Sequence, residues 1–105
     1  MGLDFAIDEL LATGWSALDT TGCNHHADGR GYPSVGRVKN EFLAEGYDLS
    51  VRHVQLFDCY RAEWRDSNNV ATGAVVGRTE AEAAVYALAQ LRRQLSAASA
   101  GVTPV

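Results

Sequence analysis

Nothing in these 105 residues approaches the roughly 18 consecutive apolar residues of a membrane-spanning helix, so such a span is excluded. Positive charge does not dominate either. Lys+Arg number 9, with Lys39 the single lysine, against 13 Asp+Glu, giving a net charge of −4. A domain that grips duplex nucleic acid or an anionic membrane leans the other way. Cysteine is scarce: Cys23 and Cys59 are too few for the disulfide framework of a small secreted domain, and are read as thiols, one in a loop and one in a strand. The opening Met-Gly-Leu-Asp-Phe-Ala lacks the basic start of a secretory signal, and Ala6 stands where a myristoylation signal carries Ser or Thr. A cytoplasmic location is expected. With 47% hydrophobic and 21% charged residues, the chain has a globular composition and not a disordered one.

Periodicity then divides the chain. Residues 4–18 read as a helix with Asp4 as N-cap and Ile7, Leu11, Trp15 and Leu18 as its apolar stripe. Gly14 offers an early stop near Thr13, with Trp15 folded back onto the helix. Residues 19–33 have no period and several glycines, and are expected to form an irregular loop. A second helix over 34–45 starts at the N-cap Ser34, carries Val35, Val38 and Phe42 with Leu43 widening the stripe, and stops at Gly46. Between 48 and 77 the period shortens to two. Leu49, Val51 and His53 form one run, Tyr60, Ala62 and Trp64 a second, and Val70, Thr72, Ala74 and Val76 a third. Breaks at 55–58 and at Asp66-Ser67-Asn68-Asn69 predict a three-stranded antiparallel meander.

Thr79-x-x-Glu82 is a capping box opening the last helix, whose buried face is Ala81, Val85, Leu88, Leu91 and Leu95. Its alanines permit close approach, and Arg92 and Arg93 mark the C-terminal end. Residues 96–105 are expected as a frayed tail beyond a single domain over 1–95. The order α-α-β-β-β-α gives an α+β layered fold. Both strand phases carry apolar groups, which predicts helices on both sides of the sheet.

Residues 34–95 resemble the small phage ABA sandwich domain family. A helix ends in Glu-Gly-Tyr-Asp before the first strand, Tyr-Arg-Ala-Glu-Trp-Arg-Asp fills the second, and Gly-Arg-Thr-Glu-Ala-Glu-Ala-Ala opens an Ala-rich final helix. The resemblance implies the layered fold and a phage or prophage-like setting, and no chemistry. It does not reach residues 19–33.

That stretch holds Cys23, His25, His26 and Asp28, ligand types suited to zinc, with His53 or Cys59 needed to complete a site. Adjacent histidines on an extended segment point to opposite sides, so the simpler reading is a solvated polar loop. The run His25-His26-Ala27-Asp28-Gly29-Arg30-Gly31-Tyr32-Pro33 is similar to the signature of the HD-GYP cyclic-dinucleotide phosphodiesterases. That family also needs an upstream His-Asp pair and a larger helical domain, and no histidine precedes His25. Gly-x-Gly-Tyr-Pro has a simpler cause in a tight turn. Cys23 beside two histidines could be an activated thiolate, without an evident oxyanion donor.

A β-β-β-α ending is also similar to double-stranded-RNA-binding domains. Arg52, Arg61, Arg65 and Arg78 could form a basic strip with Tyr60 and Trp64, although strand aromatics are usually core, and Glu80 and Glu82 stand where such domains place basic groups on phosphates. Tyr32 joins these arginines as a candidate contact residue. The expected function is a non-enzymatic accessory or protein-interaction domain without a cofactor, its partner another protein or a second copy. The alternatives are a metal- or thiol-dependent activity at residues 19–33 and nucleic-acid binding.

Overall fold

A computed structural model describes residues 2–16 and 22–101, the side chains of 98–101 excepted. Leu18 and the rest of 17–21, and 102–105 of the expected tail, lie outside the described residues. The elements are α1 (Leu3–Leu11), β1 (Cys23–His25), β2 (Gly31–Pro33), α2 (Val35–Ala44), β3 (Asp48–Val54), β4 (Cys59–Arg65), β5 (Ala71–Gly77) and α3 (Glu80–Gly101). A single 3-10 turn, Gln55–Phe57, separates β3 from β4.

The meander is as expected. β3, β4 and β5 lie side by side in that order, antiparallel throughout. Leu49 pairs with Trp64 and Trp64 with Gly73, and Val51 pairs with Ala62 and Ala62 with Val75. These residues face the helices, because directly opposed residues in a ladder point to the same side. Trp64 is fully buried, its ring 5.3 Å from that of Phe42 on α2. Three corrections arise here. The apolar run read for the third strand faces outward: Val76 is 54% exposed, and Thr72 and Ala74 are exposed too. The inward phase is Gly73, Val75 and Gly77. It is inward because the space is tight: a Cβ on Gly73 would lie 2.2 Å from Cζ2 of Trp64, and one on Gly77 2.6 Å from the Ala83 amide. The second correction follows, since α2 and α3 pack on this one face and, among the described residues, no helix covers the opposite face of the sheet. Lastly, α1 packs on α3 rather than on the sheet.

α3 is therefore enclosed by the strands, α1 and α2, and buries Ala83, Ala84, Val85, Ala87, Leu88, Ala89 and Leu91. Alanines make that possible by letting backbones approach. Its start is capped as predicted: the Glu82 amide donates to Thr79 Oγ1 at 3.1 Å. The Glu82 carboxylate accepts from the Arg78 amide, one residue outside the expected box. Thr79→Ala is expected to cost about 1 kcal/mol in chemical denaturation. The helix runs on to Gly101, past the expected end at Leu95. Arg92 and Arg93 thus lie within it and hold α1: Arg92 Nε donates to Thr13 Oγ1 at 2.8 Å, and Arg93 pairs with Glu9.

α1 takes the early stop offered by Gly14 and does not reach Leu18; Gly2, φ 152°, is its N-cap, and Asp4 lies inside the first turn and not at the cap. It buries Ala6, Ile7 and Leu10, while Leu11 is exposed. The stripe shifts because the helix ends at Leu11, and Gly14, at φ 89°, turns Trp15 back into the core. Trp15 Nε1 donates to Glu41 Oε2 at 3.3 Å, and the Arg37 guanidinium lies 5.6 Å from its ring centroid. α2 has the expected caps. Ser34 Oγ accepts from the Arg37 amide, and the Tyr47 amide closes on Phe42 O at 2.9 Å. Leu43, read as part of its stripe, is exposed.

Within the stretch expected to be irregular, β1 and β2 form a hairpin: Cys23 faces Pro33, Asn24 faces Tyr32 and His25 faces Gly31. Strands of three residues are too short to show a period. No helix among the described residues is long and apolar enough to cross a membrane.

Candidate interaction surface

The alternation of β3 and β4 carries Arg52, Arg61 and Arg65 to the open face of the sheet, because each stands one position out of phase with the buried residues. Arg52 is directly opposite Arg61. Glu63 lies between the other two: Arg61 Nη2 donates to Glu63 Oε2 at 3.1 Å and Arg65 Nη2 to Oε1 at 2.9 Å. The hydrogen bond from Arg61, with Arg65 beside it, holds the Glu63 carboxyl below its ordinary value. Two of the three arginines are thus already engaged by one carboxylate, and Asp48 stands opposite Arg65 across the ladder. The strip is a mixed ion network rather than a basic track for a phosphate backbone.

A carboxyl whose folded pKa is depressed stabilises the fold above its unfolded pKa, and that contribution is lost as pH falls through the folded value. Wild-type stability is therefore expected to fall more steeply than that of Glu63→Gln on acidification from about pH 6 to pH 3, the range of an ordinary carboxylate and below. Denaturation midpoints across that range check it, and parallel profiles would mean that Glu63 is not engaged in solution.

Tyr32 does not join the arginines. It sits on β2 and packs its ring partly against the core. Of the four candidate metal ligands, Cys23, His26 and Asp28 have other contacts. The Cys23 side of β1 turns toward the core and Arg37, whose Nη1 lies 3.3 Å from Cys23 Sγ. His25 is exposed at the end of β1. In the turn, His26 Nδ1 lies 3.2 Å from Asp28 Oδ1. Asp28 accepts from the Arg30 amide at 3.0 Å and from Arg30 Nε at 2.7 Å, and the same guanidinium pairs with Asp8 of α1. The hydrogen bond from the Arg30 backbone amide, with that of its guanidinium, holds the Asp28 carboxyl below its usual value. These groups fasten the hairpin to α1. No three His, Cys, Asp or Glu side chains among the described residues gather around a point that could hold a metal ion. Cys23 and Cys59 are not joined to each other.

Among the described residues, the most exposed large apolar side chains lie at the end of the sheet, in the turn that sequence periodicity marks only as a break. Leu56 is 84% exposed and Phe57 74%. The turn closes through Asp58, a non-glycine residue at φ 46°, whose amide donates to Gln55 O at 3.2 Å. His53 Nε2 lies 3.1 Å from Asp58 Oδ1, and the His53 ring lies 5.0 Å from that of Tyr60. The tip is therefore held, while its two large side chains meet water. Two adjacent large apolar residues in a turn are the signal that could have marked this site. Compared with protein-family models, with curated proteins and with solved structures, the chain matches none.

Proposed function

We propose that this chain is a small, non-enzymatic protein-interaction module that engages a partner through the turn between β3 and β4. The observation that carries the reading is the pair Leu56 and Phe57, side by side and largely exposed on a turn that is itself fastened by Asp58 and His53. Large apolar side chains in one exposed cluster cost solubility and are the usual anchors of an interface. Arg52 and the ion network around Glu63 supply a polar rim on the open face of the sheet. The resemblance of residues 34–95 to the small phage ABA sandwich domain supports a phage or prophage-like setting for the module. Among the described residues nothing assembles a nucleophile with a base and an oxyanion donor, so the interaction reading asks less of these residues than a catalytic one.

The test is a matched pair of proteins. Leu56→Ser with Phe57→Ser should leave stability within about 0.5 kcal/mol, since both side chains are solvated in the free chain. Affinity capture from the source cell should then retain a specific protein on the wild type and lose it on the variant. Identical captured sets would overturn the reading. A stoichiometric zinc that survives dialysis and disappears with His25→Ala and His26→Ala would replace it with the metal-dependent alternative.

A further inference from the structure

Strand alternation lays a graded surface across the face of the sheet that no described helix covers. Counting away from the turn, Val54 stands opposite Cys59, Arg52 opposite Arg61 and Ser50 opposite Glu63, all in the outward phase. Val76, 54% exposed, flanks Arg61 from β5. Leu56, Phe57 and Val54 thus make an apolar end. Arg52 and Arg61 make a cationic step behind it, one strand repeat or about 7 Å beyond Val54.

Arg52 has no compensating charge in the fold. It is exposed and directly faces Arg61 across the ladder, and like charges so placed destabilise a sheet. Among the described residues its guanidinium makes no ion pair or hydrogen bond. Glu63, one pair further along, is already taken by Arg61 and Arg65. The face carries these three arginines against Glu63 and Asp48, so it is positive in a chain whose net charge is −4.

We propose that the partner segment seated on the turn is acidic as well as apolar, with bulky apolar side chains against Leu56 and Phe57 and a carboxylate between Arg52 and Arg61. The inference rests on the turn as the docking site and adds the chemistry of what docks there. A carboxylate in that position converts a repulsive pair into charge-assisted hydrogen bonds, because its two oxygens match the guanidinium fork. Arg61 keeps donors for it beyond the Nη2 that meets Glu63. Complementary charge beside an apolar anchor selects among partners and sets the direction in which the segment lies. A phosphate backbone fits less well, since it needs a run of free cations and here would meet the Glu63 carboxylate.

The probe is a short labelled peptide in which leucine and phenylalanine precede glutamates. Fluorescence anisotropy on the full chain compares it with the same peptide carrying glutamine or lysine in place of glutamate. The glutamate peptide should bind about tenfold more tightly than the glutamine one, and the lysine one should bind least. Arg52→Glu, its folding checked by circular dichroism, should reverse the order of the glutamate and lysine peptides, which a loss of structure cannot do. It should also melt above the wild type, since an opposite-charge pair replaces a like-charge one. Leu56→Ser with Phe57→Ser should weaken all the peptides. Equal binding of the peptides, lost in the turn variant, overturns the acidic partner and leaves the turn as docking site. A glutamate preference at full strength in the turn variant overturns the docking site and this inference with it, as does no binding at all. A lower melting temperature for Arg52→Glu makes Arg52 structural and overturns the proposal. Duplex DNA that displaces the glutamate peptide at lower concentration overturns it in favour of nucleic acid. Light scattering at twice 11.3 kDa, returned to monomer by Arg52→Glu, overturns it in favour of a second copy.

Discussion

Trp64→Ala is expected to destabilise the fold by about 3–5 kcal/mol, the usual cost of emptying a large aromatic site in a core. Trp64 stands near the C-terminal end of β4, on the central strand of the sheet, fully buried, with Leu49 and Gly73 as ladder neighbours and the Phe42 ring 5.3 Å away. Its removal leaves a cavity bounded by a β-sheet on one side and α2 on the other, elements that cannot collapse into it without breaking the ladder. Trp64→Phe should cost much less than the alanine change. The indole Nε1 is a buried donor without a hydrogen-bond partner, and phenylalanine removes that unpaired group along with part of the volume. Urea denaturation of the three proteins measures both differences. A shift below about 1 kcal/mol for the alanine variant would place the ring outside the core.

Gly73→Ala should cost about 1–3 kcal/mol through overpacking. The new methyl would lie 2.2 Å from Cζ2 and 2.6 Å from Cε2 of Trp64, so one of them must move, and the indole has no exposed side toward which to swing. The two predictions are coupled. In a Trp64→Ala background the obstructing ring is gone, so the added methyl should be almost free of cost. The double variant should therefore be more stable than the sum of the single losses implies, by an amount in the range of about 0.5–3 kcal/mol seen for contacting residues. Additive losses would show that the clash is relieved elsewhere, by displacement of β5.

This pair of residues also shows where the sequence was legible and where it was not. The β4 side was readable, because Tyr60, Ala62 and Trp64 alternate with charged partners and only one phase can be buried. On β5 the inward phase contains two glycines, which carry no hydropathic signal, while the outward phase continues from Val70 through Thr72 and Ala74 to Val76. Apolar counting therefore selects the wrong face. What decides the matter is steric, a bulky ring on the neighbouring strand and a helix backbone against Gly77, and neither is visible within the strand's own residues. The capping residues Ser34 and Thr79 were legible because their hydrogen bonds are local. The arginine strip followed from alternation alone, but its neutralisation by Glu63 depends on rotamers. The hairpin of β1 and β2 escaped notice because its register is set by a turn and its anchorage by Arg30 reaching to Asp8.

The attachment of α1 has a kinetic consequence. The unit from β3 to α3 is contiguous in the chain, and its strands are joined by short turns, so its contacts close small loops. The bond from Arg92 to Thr13 instead links positions 79 apart, and α1 rests on α3 without a part in the sheet. Closing that long loop carries the larger entropy and yields its reward only once α3 is formed. α1 should therefore be last to dock and first to detach, a separately opening unit on the back of the domain. In native-state hydrogen exchange its amides would report a partial unfolding, while those of β4 would wait for the global one.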